Sequence, residues 1–256
     1  MAQPKNKVYL IDGSSYIYRA FFAIRDLKTS QGIPTNAVYG FISMLSKVLK
    51  EFQPQCLAVV LDAKGPTFRH LAYEHYKANR PEMPEGLRPQ IPRIKEIVRA
   101  FGIPLLEKEG FEADDLIGTL ARAWEARGYE VVMISGDKDL LQLISPRVTS
   151  LDTMYDRSYD VKKVQERYGV EPERLPDVFG LMGDDSDNIP GVPGIGEKWA
   201  KELILRFGSL EALLSRVSEV PQRKLQEALS RHADQARLSK RLATIDTQVP
   251  LDLGLE

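Results

Sequence analysis

Glu112, Asp114 and Asp115 place three carboxylates within four positions. An apolar stripe follows at once, Leu116, Ile117, Leu120, Ala121 and Trp124, spaced as one face of a helix. Acids in a first helical turn complement the helix dipole, each contributing about 0.3–1 kcal/mol, and this accounts for one or two of the three. Three crowded beside a core-facing stripe repel one another unless something positive neutralises them. A hard divalent cation does so through carboxylate oxygens. Further acids fall at comparable places. Asp12, Asp62 and Asp137 each close an apolar run, Asp139 follows two residues later, and Asp184 and Asp187 sit in the loop after Leu181.

The elements that must position these acids are short and β-rich. Val8-Tyr9-Leu10-Ile11 ends in Asp12, Leu57-Ala58-Val59-Val60-Leu61 ends in Asp62, and Val131-Val132-Met133-Ile134 leads through Ser135-Gly136 to Asp137. Continuous apolar runs separated by helical patterns predict parallel strands buried on both faces. Val38, Phe41, Ile42, Leu45, Val48 and Leu49 make the helix between the first two strands, over 37–50. Parallel strands bring their carboxyl ends to one edge of a sheet, where α/β proteins place their sites, so Asp12, Asp62 and Asp137 should converge. A single Asp after a strand is explained by the turn it opens; three, with the acidic helix start, are not. Further helical patterns cover 92–101, 161–168 and 210–242, and 104–106 and 148–151 read as strands.

Two other stretches carry chemistry. Residues 67–80 are compatible with a helix on which Arg69, Tyr73, Tyr76, Lys77 and Arg80 share a face, before Pro81, Pro84, Gly86 and Pro89 break it. Cations and rings on one face suit single-stranded nucleic acid, although a solvated amphipathic helix has the same pattern. Like charges and prolines predict that this segment is loosely held until nucleic acid arrives. Gly191-Val192-Pro193-Gly194-Ile195-Gly196 joins two helical stretches, with Lys198 opening the second. Glycines before a helix free backbone N–H groups to hold phosphate, a way to grip a DNA backbone without reading its sequence.

Composition sets bounds. The 256 residues are 43% hydrophobic and 28% charged, with a formal net charge of −1, an ordinary globular balance that leaves nucleic acid open as a partner. Cys56 is the only cysteine, so no disulfide framework or zinc knuckle exists, and a reducing cytoplasm fits. The three histidines form no Ser–His arrangement, the first residues carry no signal-peptide core, and no run is long enough to span a membrane.

Together these blocks resemble the 5′ nuclease (5′-3′ exonuclease) domain of bacterial DNA polymerase I, within the flap endonuclease family. The likeness rests on Asp12-Gly13-Ser14-Ser15-Tyr16 with Arg19, Thr35 to Phe41, Asp62 to Arg69, Tyr76 to Pro81, Glu112 to Asp115, Gly136-Asp137-Lys138-Asp139, and Gly183-Asp184 through Lys198. It implies an α/β fold: a PIN-like, mainly parallel sheet flanked by helices over 1–170, with a helical arch at about 64–90, and a helical helix-hairpin-helix domain over 171–256. By the same resemblance, Asp12, Asp62, Glu112, Asp114 and Asp115 hold one Mg²⁺ and Asp137, Asp139, Asp184 and Asp187 a second, with Mn²⁺ able to substitute and K⁺ at the hairpin. Arg19, Lys77 and Arg80 then neutralise the scissile phosphate. Arg69, Tyr76, Lys77 and Arg80 of the arch, with Gly191, Gly194, Gly196 and Lys198 of the hairpin, bind DNA. The implied activity is Mg²⁺-dependent cleavage of 5′ flaps and 5′-ended duplexes in replication and repair. It is carried out by a monomeric, cytoplasmic, nucleoid-associated protein, with a linked or separate DNA polymerase as partner. Asp185 and Trp199 depart from the family pattern. A PIN-type ribonuclease and a non-catalytic branched-DNA-binding module are the alternatives; the first needs neither arch nor hairpin, and the second could lose carboxylates.

Overall fold

The computed structural model describes residues 6–251; residues 1–5, on which the reading of the N-terminus partly falls, and 252–256 lie outside the described residues. Six strands form one sheet: β1 (Lys7–Asp12), β2 (Cys56–Val60), β3 (Leu105–Leu106), β4 (Glu130–Ile134), β5 (Val148–Asp152) and β6 (Arg157–Tyr159). Their order is β3-β2-β1-β4-β5-β6, and only β6 runs antiparallel to its neighbour. The chain therefore winds outward from β1 in one direction and then restarts at β4 in the other. This switch point opens a crevice at the carboxyl ends of β1 and β4.

Alternate residues of β1 serve opposite layers, as the pleat requires. Tyr9 and Ile11 pack with Tyr16 of α1 (Gly13–Ala23), Phe41 and Leu45 of α2 (Asn36–Phe52), and Ile94 of α4 (Gln90–Ala100). Val8 and Leu10 pack with Leu116 and Ile117 of α5 (Ala113–Ala126). This second cluster continues through Val164 of α6 (Val161–Tyr168) and Phe179 of α7 (Leu175–Met182) to Leu203 and Phe207 of α8 (Glu197–Phe207). The stretch expected as helical over 210–242 divides into α9 (Leu210–Ser215), α10 (Arg223–Arg231) and α11 (Ala233–Ala243).

The arch departs from expectation. Its helix, α3, spans only Phe68–Ala72 and so carries only Arg69 of the stripe expected to run on to Arg80. Lys77 adopts a left-handed backbone (φ 56°), and its N–H donates to the Asp187 carbonyl at 2.9 Å, which no helix through Lys77 would allow. Rather than standing free, 73–80 folds through successive turns, with Ala78 donating to the His75 carbonyl and Arg80 to that of Lys77. Asn79 and Asn188 fasten it further, donating to the carbonyls of Asp185 and His75 at 2.6 Å each.

Candidate active site

Each expected strand-end acid is where the sheet should deliver it. Asp12 is both the last residue of β1 and the N-cap of α1, accepting from the Ser15 N–H at 2.9 Å. Its other oxygen accepts from Ser135 Oγ at 2.6 Å, and Ser135 Oγ in turn accepts from the Asp137 N–H at 3.0 Å. Ser135 thus ties the ends of β1 and β4 together across the switch point. Asp62 accepts from the Ala113 N–H at 2.8 Å, binding the end of β2 to the start of α5. Asp137 accepts from the Asp139 N–H at 2.9 Å, which turns the chain so that both acids face one site. Asp184 and Asp187 arrive on a tight loop closed by reciprocal hydrogen bonds between Asp184 and Ile189 at 2.9 and 2.8 Å. Gly183 and Gly191 make that closure possible: both have positive φ, and a Cβ on Gly191 would lie 2.3 Å from the Gly183 nitrogen.

The acids divide by what neutralises them. Asp184 is met by Lys138 Nζ at 2.6 Å. Burial raises its pKa, but hydrogen bonds from Lys138 and Ser186 outweigh burial and hold it below the ordinary value. Glu112 is met by Lys77 Nζ at 2.6 Å and Asp187 by Arg80 at 2.5 Å, and the Tyr76 hydroxyl donates to both carboxylates at 3.0 Å. No such cation touches Asp12, Asp114 or Asp139. Burial, then the neighbouring Asp137 and Asp62 charges, push Asp12 up to about 7. Burial with Asp137 and Asp12 raises Asp114 well above the carboxylate range, and burial with Asp137, Asp184 and Asp187 does the same for Asp139. Among the described residues no three ligating side chains lie close enough to share one ion. The donors are nonetheless those a hard cation takes, and the buried Asp12 and half-buried Asp114 and Asp139 form no ion pair among the described residues.

Four expected roles change. Asp115 is fully buried, and both its oxygens are held by Arg69 at 2.8 and 2.7 Å and by the N–H groups of Glu112 and Asp246. It is a structural carboxylate rather than a metal ligand. Arg69 does not face nucleic acid: its remaining N–H groups reach Glu112 and the Leu242 and Thr244 carbonyls, so the whole fork is used inside the protein. Tyr76 is buried at 3% exposure and cannot stack on a base from there. Gly191 offers no free N–H to phosphate, because Ser239 Oγ accepts it at 3.0 Å. The N–H groups of Gly194 and Gly196 have no partner among the described residues, and Lys198 beside them is exposed. Of the departing residues, Asp185 is exposed and Trp199 packs on the core.

Arg19 reaches the same edge, lining a cavity with Asp137 and Lys138, and is bound to Asp152 at 3.0 Å. Gly136 lies over it, and a Cβ there would fall 1.7 Å from the guanidinium. Three contributors were not singled out from the sequence. Lys138 stood between two aspartates, a visible signal; Ser135 and Asp152 became legible only once β4 and β5 were paired.

At the switch point of a mainly parallel sheet the site is thus a gathering of carboxylates with lysine and arginine heads laid against them. The chain belongs to the 5′-3′ exonuclease family: the family's N-terminal resolvase-like domain matches residues 7–169 and its C-terminal SAM fold residues 170–256. A 5′-3′ exonuclease of Aquifex aeolicus is 43% identical over 97% of this chain and 85% of its own length. DNA polymerase I of Bacillus caldotenax is 49% identical over 98% of this chain, but the match spans only 29% of that protein. Among solved structures, the T5 5′-exonuclease with bound zinc superimposes with a TM-score of 0.78 at 22% identity, covering 94% of this chain and 90% of that one. A T5 flap endonuclease complex with DNA and metal ions gives the same TM-score and coverage. No helix among the described residues is long and apolar enough to cross a membrane.

Proposed function

We propose that this chain hydrolyses phosphodiester bonds in 5′ flaps and 5′-ended duplex DNA, with Mg²⁺ as the physiological metal and Mn²⁺ able to replace it, serving primer removal and repair beside a DNA polymerase. The observation that carries this reading is the convergence of acids from five separate segments at the β1/β4 switch point, with Asp12, Asp114 and Asp139 forming no ion pair there. Asp12, Asp62, Glu112 and Asp114 would hold one ion and Asp137, Asp139, Asp184 and Asp187 the other. When bound, a pair of ions about 3.5–4 Å apart activates water and stabilises the attacking and leaving oxygens.

The chain's own residues do the remainder. Ser135 fixes the facing directions of Asp12 and Asp137. Lys77 and Arg80 exchange Glu112 and Asp187 for the scissile phosphate, screening its charge as cationic clamps do. The free N–H groups of Gly194 and Gly196, with Lys198, hold backbone phosphates of the duplex. Potassium at the hairpin belongs to the same reading. The Gly191 and Val192 carbonyls each accept one N–H, from Gln235 and Ile195, and keep a second lone pair.

Labelled flap DNA and a matched RNA, each incubated with Mg²⁺ and with chelator, test the reading. Metal-dependent cutting of the DNA near its branch is expected. Preferential cutting of the RNA would favour the ribonuclease alternative, and binding without cutting would favour the non-catalytic one.

A further inference from the structure

A cavity of about 450 Å³ opens beside Asp137, between the Ser135–Asp137 turn and the β5–β6 hairpin. That volume lies in the range of about 300–1,000 Å³ typical of small-ligand sites. The cations on its wall are not equivalent. Arg19 is bound to Asp152 at 3.0 Å and Lys138 to Asp184 at 2.6 Å. Arg157 and Arg167 form no ion pair among the described residues. Each is parked on a ring instead: Arg157 lies 5.3 Å from the Tyr155 centroid and Arg167 5.1 Å from that of Tyr168. Arg167 also donates to the Tyr159 hydroxyl at 3.0 Å, which fixes its plane. A guanidinium laid on a ring keeps most of its in-plane N–H groups available for a phosphate. Tyr155 is 61% exposed, so its ring has surface left for a base.

We infer that this cavity is a nucleotide subsite: Arg157 and Arg167 bind one backbone phosphate of the substrate, and Tyr155 stacks on the unpaired base attached to it, next to Asp137. The subsite rests on the proposed nuclease reading for the identity of its ligand. Its chemistry is independent of the metals, since none of the three residues is an acid. It also supplies the exposed ring and free cations that the buried Tyr76 and Arg69 do not.

Binding of flap DNA is measured by fluorescence polarisation in chelator, so that nothing is cut, across a salt series. Arg157→Ala/Arg167→Ala should lower the slope of log K against log[salt] by about 0.7–0.9, the share of one phosphate. Arg157→Lys/Arg167→Lys should keep the slope. Replacing flap phosphates one at a time with uncharged methylphosphonate should find one position that weakens the wild type but leaves the double alanine variant unchanged. Tyr155→Ala should weaken flap binding about tenfold, within the range for one stacked base, and leave fully paired duplex unaffected, while Tyr155→Phe should match the wild type. An unchanged salt slope, or equal sensitivity of both proteins at every methylphosphonate position, overturns the subsite. A wild-type chain that cuts no DNA would remove the nuclease reading, and the coupling measurement would still decide the subsite.

Discussion

The acidic edge has two halves that differ in who supplies the positive charge. Glu112, Asp115, Asp184 and Asp187 are met by Lys77, Arg69, Lys138 and Arg80. Asp12, Asp114 and Asp139 form no ion pair; burial and the neighbouring acids outweigh the more distant lysines at Asp114 and Asp139, and all three pKa values rise. The first half shows what the folded chain does with a carboxylate it means to keep charged. The second shows carboxylates held at a cost that folding alone does not offset, the mark of a functional site.

The largest effect that sharpens this contrast is on catalysis. Asp114→Asn should reduce cleavage by about 10²–10³-fold or more, the scale for removing one electrostatic element of an active site, while the melting temperature stays level or rises. A variant that cuts at near wild-type rate breaks the contrast. The neutralised half behaves oppositely. Arg69→Ala leaves Asp115 buried and unpaired, which should cost about 3–5 kcal/mol of stability, read from urea unfolding. Replacing Arg69 and Asp115 together with apolar residues should cost much less.

Lys77 holds Glu112 at 2.6 Å, and under the proposed function it exchanges that carboxylate for phosphate. Lys77→Ala should slow single-turnover cleavage by about tenfold or more and change duplex affinity little, if the hairpin holds the duplex as proposed. Equal losses in rate and affinity would assign Lys77 to binding alone. The two halves also respond to pH with opposite sign. A carboxylate raised in the folded state favours folding when protonated, so without metal Asp12 contributes declining stability as pH rises from about 4 to about 7. Asp184 is depressed, so its contribution is present above the ordinary carboxylate pKa and is lost as pH falls through the folded value. Metal-free melting curves across this range should fall toward neutral pH, and Asp12→Asn should flatten them.

Much of this edge was legible before any coordinates. Apolar runs closing in Asp12, Asp62 and Asp137 fix strand ends, and parallel pairing does the rest. The sorting of acids was not. Asp114 and Asp115 are adjacent in sequence, yet neighbouring helical positions are rotated by about 100°, so one faces the edge and the other faces Arg69 inside. The arch failed as a helix for a non-local reason: the turn at Lys77 is held by the Asp187 carbonyl, more than a hundred residues away, and a periodic pattern carries no trace of that bond. Tyr76 reads like a surface ring for the same reason, since the two carboxylates that accept from its hydroxyl come from separate loops.

The central claim is that the acids without counter-charge are built for divalent cations. Thermal melting of the wild type and of Asp12→Asn/Asp114→Asn, each with and without Mg²⁺, tests it most directly, because asparagine removes the charge and keeps the oxygen that caps α1, while its amide faces the Ser135 hydroxyl in place of the second oxygen. Without metal the variant should melt above the wild type. Mg²⁺ at about a hundred times its dissociation constant should then stabilise the wild type by about 2.7 kcal/mol and leave the variant almost unmoved. A variant that melts below the wild type without metal, and gains as much from Mg²⁺, would contradict the claim.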